Sequence, residues 1–166
     1  MPNLFVASVL AGLVVANSIP IYGSYPGWVV GSGRANINVE IALDLVCTDS
    51  QANNPIWNQV LASPWLDGTV QDQVYWAYST YPLPYHVHTF QVTQLVPYFQ
   101  ALCAEQGNCL LDQYKDWCFE DAQILTTLSE TNVSQTDFET EWAQKVATQF
   151  NLDYNTVYSI YNPATD

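Results

Sequence analysis

Between Ile37 and Ser50 the chain carries an apolar, β-branched run in which Val39, Ile41, Leu43 and Leu45 alternate on one face. Ala42 and Val46, on the other face, are also apolar, so the run predicts a strand covered on both sides. It stops at Cys47-Thr48-Asp49-Ser50, where Thr48, Asp49 and Ser50 each offer an N-cap oxygen and a helix is expected to start. Pro55 falls near the first turn of that helix, where a missing N–H is tolerated. Ile56, Val60 and Leu61 supply its apolar stripe, with Trp57 beside it, and Ser63-Pro64 and Asp67-Gly68 end it and turn the chain. From Thr69 to Tyr78 the residues Val70, Val74, Tyr75, Trp76, Ala77 and Tyr78 predict a second strand, parallel to the first, completing a right-handed βαβ unit.

Tyr81-Pro82-Leu83-Pro84-Tyr85-His86-Val87-His88 leaves this strand in extended form, because a residue before proline is pushed out of the α region. From Thr89 the periodicity becomes helical. Phe90, Leu95, Val96, Phe99 and Leu102 recur at threes and fours, and Pro97 predicts a kink or a restart. A further helix is expected over 110–128, with Leu111, Tyr114, Cys118, Leu125 and Leu128 inward and Asp112, Glu120 and Asp121 toward water. Ser134 is a sound N-cap for the next, with Asp137 at its third position and Phe138, Trp142, Val146 and Phe150 at intervals of four. Asp153 caps a last short helix with Val157 and Ile160. Ahead of the first strand, the proline- and glycine-rich lead-in from Ile19 to Gly33 lays at most one short edge strand.

The segment from Leu4 to Ala16 is apolar but short for a membrane span. With Ala16-Asn17-Ser18 as a small-x-small cleavage site, it reads as a secretory signal over 1–18, leaving one domain over 19–166 in the secretory lumen or outside the cell. The acceptor triplet Asn132-Val133-Ser134 agrees with glycosylation in that compartment. Only Arg34, Lys115 and Lys145 are basic, and the formal net charge is -13. Such a field repels phosphate and anionic lipid, so neither nucleic acid nor, once the signal is cleaved, a membrane surface is an expected partner.

Candidate chemistry centres on Cys47. At a strand-to-helix junction the positive end of the helix favours a thiolate, while the carboxylates of Asp44 and Asp49 oppose it. The junction Leu43-Asp44-Leu45-Val46-Cys47-Thr48-Asp49-Ser50, followed some thirty residues later by Pro82-Leu83-Pro84-Tyr85-His86, resembles the eukaryotic DsbA-like proteins of the thioredoxin superfamily. That family shows a Leu-Asp-x-x-Cys-Pro-Asp-Ser junction and a Pro-Leu-Pro-Tyr-His segment. Thr48 replaces the usual proline, and Ser50 stands where a dithiol enzyme has its second cysteine. The resemblance covers Ile19 to Tyr161 and implies an α/β thioredoxin-like fold with a DsbA-type helical insertion over about 89–161. It also implies that Pro84 and His86 pass near the active-site helix. The family's cis-proline pair, closing hairpin and final helix have no counterpart up to Asp166, so the sheet is expected to be incomplete. A coding sequence that stops short is the expected cause, ahead of an edge filled by the N-terminal segment or strands donated by a partner.

A dithiol enzyme resolves its mixed disulfide with the second thiol, and Ser50 cannot. The expected activity is therefore monothiol exchange with protein thiols or disulfides, Cys47 being the nucleophile and Ser50 a hydrogen-bond donor to it. The rival reading is a redox-inactive interaction domain. Cys103 and Cys109 flank a turn, and either also reaches Cys118 across a helical hairpin, so the pairing among the three stays open. No spacing suits a metal, and no cofactor is expected.

Overall fold

In the computed structural model, residues 27–31, 36–107, 109–121 and 132–162 are described. The expected signal peptide, most of the lead-in, and Leu125 and Leu128 lie outside them. The fold is mixed α/β. Strands β1 (Trp28–Val29), β2 (Asn38–Leu43) and β5 (Tyr75–Thr80) form one sheet in the order β1-β5-β2. The first pair is antiparallel and the second parallel, in a register that sets Val39 beside Trp76 and Ile41 beside Tyr78. Between the parallel strands lie helix α1 (Thr48–Ala62), a hairpin of β3 (Pro64–Trp65) and β4 (Gly68–Thr69), and the single turn α2 (Val70–Gln73). Then follow α3 (Thr89–Gln94), α4 (Val96–Gln106), α5 (Leu111–Asp121), α6 (Gln135–Phe150) and α7 (Tyr154–Ser159).

β5 is central and hydrophobic, with Trp76, Ala77 and Tyr78 all buried. β2 is an edge strand among the described residues and alternates instead. Asn38, Glu40 and Ala42 are exposed, so the expectation of a strand covered on both faces is corrected: only the Val39-Ile41-Leu43 face meets the core. Leu45 and Val46 are buried, yet in the turn beyond the strand rather than in it.

The expected second strand starts later than Thr69. The Thr69 N–H and hydroxyl both donate to the Asp72 carboxylate, at 2.8 and 2.7 Å, and wind one helical turn before the strand begins. On α1 the expected stripe is also corrected. Ile56 and Val60 are exposed, and the buried positions are Asn54 and Leu61, because α1 packs against α5 through the Asn54 side-chain amide, which donates to Asp116 at 2.8 Å. Pro97 restarts the helix at the second position of α4, and Phe90, expected inward, is exposed. Ser134 and Asp153 cap α6 and α7 by accepting the N–H groups of Asp137 and Thr156.

The helical core is aromatic. Trp142 is 1% exposed, its ring centroid 4.8 Å from that of Trp117 and 5.8 Å from that of Phe138. Tyr114 stacks on Phe99 at 4.5 Å, and its hydroxyl donates to the Val92 carbonyl and accepts from the Trp142 indole. Burial pushes the Tyr78 phenol up to about 12 and raises Tyr114 and Tyr161 as well. Unfolded tyrosines ionise near pH 10. Above about pH 10 the unfolded chain therefore holds fewer protons than the folded one, and stability falls as pH rises. Unfolding followed by phenolate absorbance should show the midpoint declining as pH passes about 10, with delayed native titration.

Cys103 and Cys109 form a disulfide, with Cα atoms 4.1 Å apart, across the α4–α5 turn where Gly107 takes φ +67°. Cys118 lies outside that bond, buried in α5. The alternative pairings with Cys118 are thereby not adopted. Replacing both Cys103 and Cys109 by alanine should cost about 2 kcal/mol in denaturant unfolding, the closure entropy of so short a loop.

Candidate functional site

β2 ends at Leu43 because Asp44 turns the chain. The Cys47 N–H donates to the Asp44 carbonyl at 3.1 Å, closing a four-residue turn. The Asp44 carboxylate takes the Val46 N–H at 2.8 Å, the local bond by which aspartate starts turns. This turn delivers Cys47, with φ -81° and ψ 126°, to the N-cap of α1. The expected cap at Thr48, Asp49 or Ser50 is thus corrected. The switch from extended to helical backbone comes one residue earlier, and no side chain caps the helix. Thr48 and Asp49 are exposed in the first turn.

Segment 81–88 was expected to be extended, and it folds back instead. The Tyr81 N–H continues the ladder by donating to the Leu43 carbonyl at 2.7 Å. A second turn, closed by the His86 N–H on the Leu83 carbonyl at 3.0 Å, follows with Pro84 and Tyr85 at its centre. His88 takes φ +63° and stacks its ring on Phe138 at 4.3 Å, starting α3.

Both turns converge on one carboxylate. Asp44 is 3% exposed. Its Oδ1 accepts from the Val46 N–H and, at 2.6 Å, from the Thr89 hydroxyl. Its Oδ2 accepts from the Leu83 N–H at 2.7 Å and lies 3.0 Å from His86 Nδ1. With Asp44 ionised, that last contact requires a hydrogen on Nδ1, which fixes the tautomer and plane of the imidazole. Four donors around a buried carboxylate are what its removal from water requires. Asp44 therefore joins the end of β2, the loop after β5 and the start of α3.

Cys47 is 8% exposed, and among the described residues its sulfur takes part in no hydrogen bond. The hydroxyl oxygen of Ser50, expected as a donor to Cys47, accepts the Asp44 N–H at 3.4 Å, a long contact. Along the chain Cys47 thus lies between the Asp44 turn and the first turn of α1. In the segment after β5, Tyr81, Tyr85 and Phe90 are exposed.

No family model, curated protein or solved structure matches the chain.

The sequence-predicted residues thus fall in two groups. Asp44, Cys47, Pro84 and His86 lie on two turns joined by the Asp44 carboxylate, and Thr48, Asp49 and Ser50 open α1 directly after the first of them. Cys103, Cys109, Cys118 and Asn132 lie elsewhere, Cys118 in α5 and Asn132 exposed just before α6. Among the described residues no three His, Cys, Asp or Glu side chains are placed to hold a metal ion, and no helix is long and apolar enough to cross a membrane.

Sequence reasoning missed Thr89, read only as the start of a helical pattern, and Lys115, read only as one of three cations. Lys115 is 2% exposed on the inner face of α5. Its position was detectable, since it lies four residues after Leu111 and three before Cys118 on the expected apolar stripe.

Proposed function

We propose that the chain is a thioredoxin-like, DsbA-type domain that carries out monothiol exchange through Cys47. The carrying observation is the position of that cysteine: it is the N-cap of a 15-residue helix that follows one strand of a parallel βαβ arrangement. Backbone N–H groups of the first helical turn point toward the N-cap, so the sulfur sits where backbone donors are left without a helical partner.

The Cys47 thiolate attacks one sulfur of a disulfide; a new S–S bond forms to Cys47, the old one breaks, and the departing sulfur leaves as a thiolate that takes a proton from water. Ser50 has no thiol with which to resolve the mixed disulfide, so a second, external thiolate of the glutathione class attacks it and returns Cys47 to the reduced state. Electrons balance within each exchange, and no cofactor is consumed. Asp44 and His86 act as positioning residues, since the carboxylate ties the turn that leads into Cys47 to the loop after β5.

Exchange between a fluorescently quenched peptide disulfide and reduced glutathione tests this. The native chain should accelerate the reaction and Cys47→Ser should abolish the acceleration, with an unchanged unfolding midpoint as control. Equal rates with the native and Cys47→Ser chains contradict it.

The rival reading, a redox-inactive interaction domain in the same fold, draws on a specific observation of its own: Cys47 is only 8% exposed. It predicts no acceleration by either chain.

A further inference from the structure

Along its outer edge, β2 carries a row of backbone groups that no strand pairs with among the described residues. The inner ladder fixes which residues own them. The Ile37 carbonyl accepts the Tyr75 N–H at 2.9 Å and the Leu43 carbonyl accepts the Tyr81 N–H at 2.7 Å, so the odd-numbered residues turn their amides toward β5. Because a strand alternates, the N–H and C=O groups of Asn38, Glu40 and Ala42 point away from the sheet. All three residues are exposed. Edge strands are commonly blunted by proline, a bulge or a charge. β2 has no proline, and its register with β5 runs unbroken from Asn38 to Leu43, which leaves the charge of Glu40 at its centre as the one such device.

The side chains define what fits there. Ile37, Val39 and Ile41 lie on the face that β2 shares with Tyr78, against which Trp57 of α1 packs with ring centroids 6.1 Å apart. Val39 and Ile41 touch the core yet stay only half-buried, and Ile37 is 48% exposed, so this face lacks cover on its outer side. Glu40 stands on the opposite face. A strand laid along the edge therefore sets alternate side chains beside Val39 and Ile41, where apolar groups gain burial, and the others beside the Glu40 carboxylate. Opposite charges across a strand pair stabilise it and like charges oppose it. A second copy paired antiparallel about the centre of β2 brings two Glu40 carboxylates together, in a chain with three basic residues and a formal charge of -13. Lysine or arginine at the same place is attracted by both. We propose that the outer edge of β2 binds an extended cationic segment of another protein by strand addition, its basic side chains on the Glu40 face alternating with β-branched ones on the Val39–Ile41 face.

The full chain is titrated, at about 0.15 M salt to limit unspecific attraction, into a fluorescein-labelled seven-residue peptide that alternates valine and lysine, and binding is read by anisotropy. Saturation is expected, about tenfold tighter than for a peptide alternating valine and glutamate, or for one with the same valines and lysines gathered in two blocks. Only alternate amides of an added strand face β2. N-methylation of the lysine amides should therefore abolish binding while methylation of the valine amides leaves it, if the peptide runs antiparallel to β2, with the two exchanged if it runs parallel. Glu40→Lys should weaken the lysine peptide about tenfold and bring the glutamate peptide into measurable range, with Glu40→Gln between the native chain and Glu40→Lys. Both variants change an exposed side chain and should keep the native unfolding midpoint. Cys47→Ser should bind as the native chain does, so this test stands apart from the thiol-exchange reading. Any of three results overturns the proposal: equal binding of the alternating and blocked lysine peptides, which is attraction between charges alone; tolerance of methylation at both sets of amides; or no saturation up to about 1 mM, the outcome expected where a second copy or another segment of this chain holds the edge.

Discussion

Replacing Asp44 by alanine should remove about 3 to 5 kcal/mol of folding stability, a large share of what a domain of this size has. The carboxylate satisfies two backbone N–H groups, one hydroxyl and one imidazole nitrogen, at 2.6 to 3.0 Å and 3% exposure. Alanine leaves all four donors without their acceptor, and the donors sit on three separate elements, so no single shift of one loop repairs them. Asparagine keeps one oxygen and should cost less. Urea unfolding at neutral pH, compared at constant slope, measures both. A loss under about 1 kcal/mol for Asp44→Ala indicates that water replaces the carboxylate at little cost, and the convergence of the two turns is then incidental.

Trp142→Ala should cost about 3 to 5 kcal/mol by a different route, the emptying of a packed core. The indole is 1% exposed and touches the rings of Trp117 and Phe138, and its N–H donates to the Tyr114 hydroxyl at 3.2 Å. Removing it opens a large void and takes one bond from a buried phenol that also holds the Val92 carbonyl of α3. Trp142→Phe keeps most of the apolar volume and should lose about half as much. Urea unfolding of both variants checks the ordering. A loss of about 1 kcal/mol or less in Trp142→Ala shows that the surrounding helices collapse onto the site, contrary to a core held by interlocking rings.

Much of the architecture was legible because period and caps are local properties. The alternation at Val39, Ile41 and Leu43, the fours of Phe138, Trp142, Val146 and Phe150, and the caps at Ser134 and Asp153 each depend on residues within one or two turns. The errors occurred where a distant partner outweighed local pattern. Ile56 and Val60 look like a core stripe until the Asn54–Asp116 bond sets which face of α1 meets α5. Thr69 looks like strand until the Asp72 carboxylate winds a turn. Asp44 was identified as a neighbour of Cys47, but its bonds to Leu83 and Thr89 span 39 and 45 residues and have no mark in the sequence.

The reading of the molecule as a thiol-exchange protein rests on Cys47 reacting from the folded state. Brief labelling of the native chain with iodoacetamide, quenched and resolved by peptide mass spectrometry, tests it most directly, with Cys118, fully buried in α5, as the internal control. Modification of Cys47 well ahead of Cys118, at a rate independent of denaturant below the unfolding transition, is the predicted result. Labelling of both cysteines at one common rate, rising together only as the chain unfolds, contradicts it.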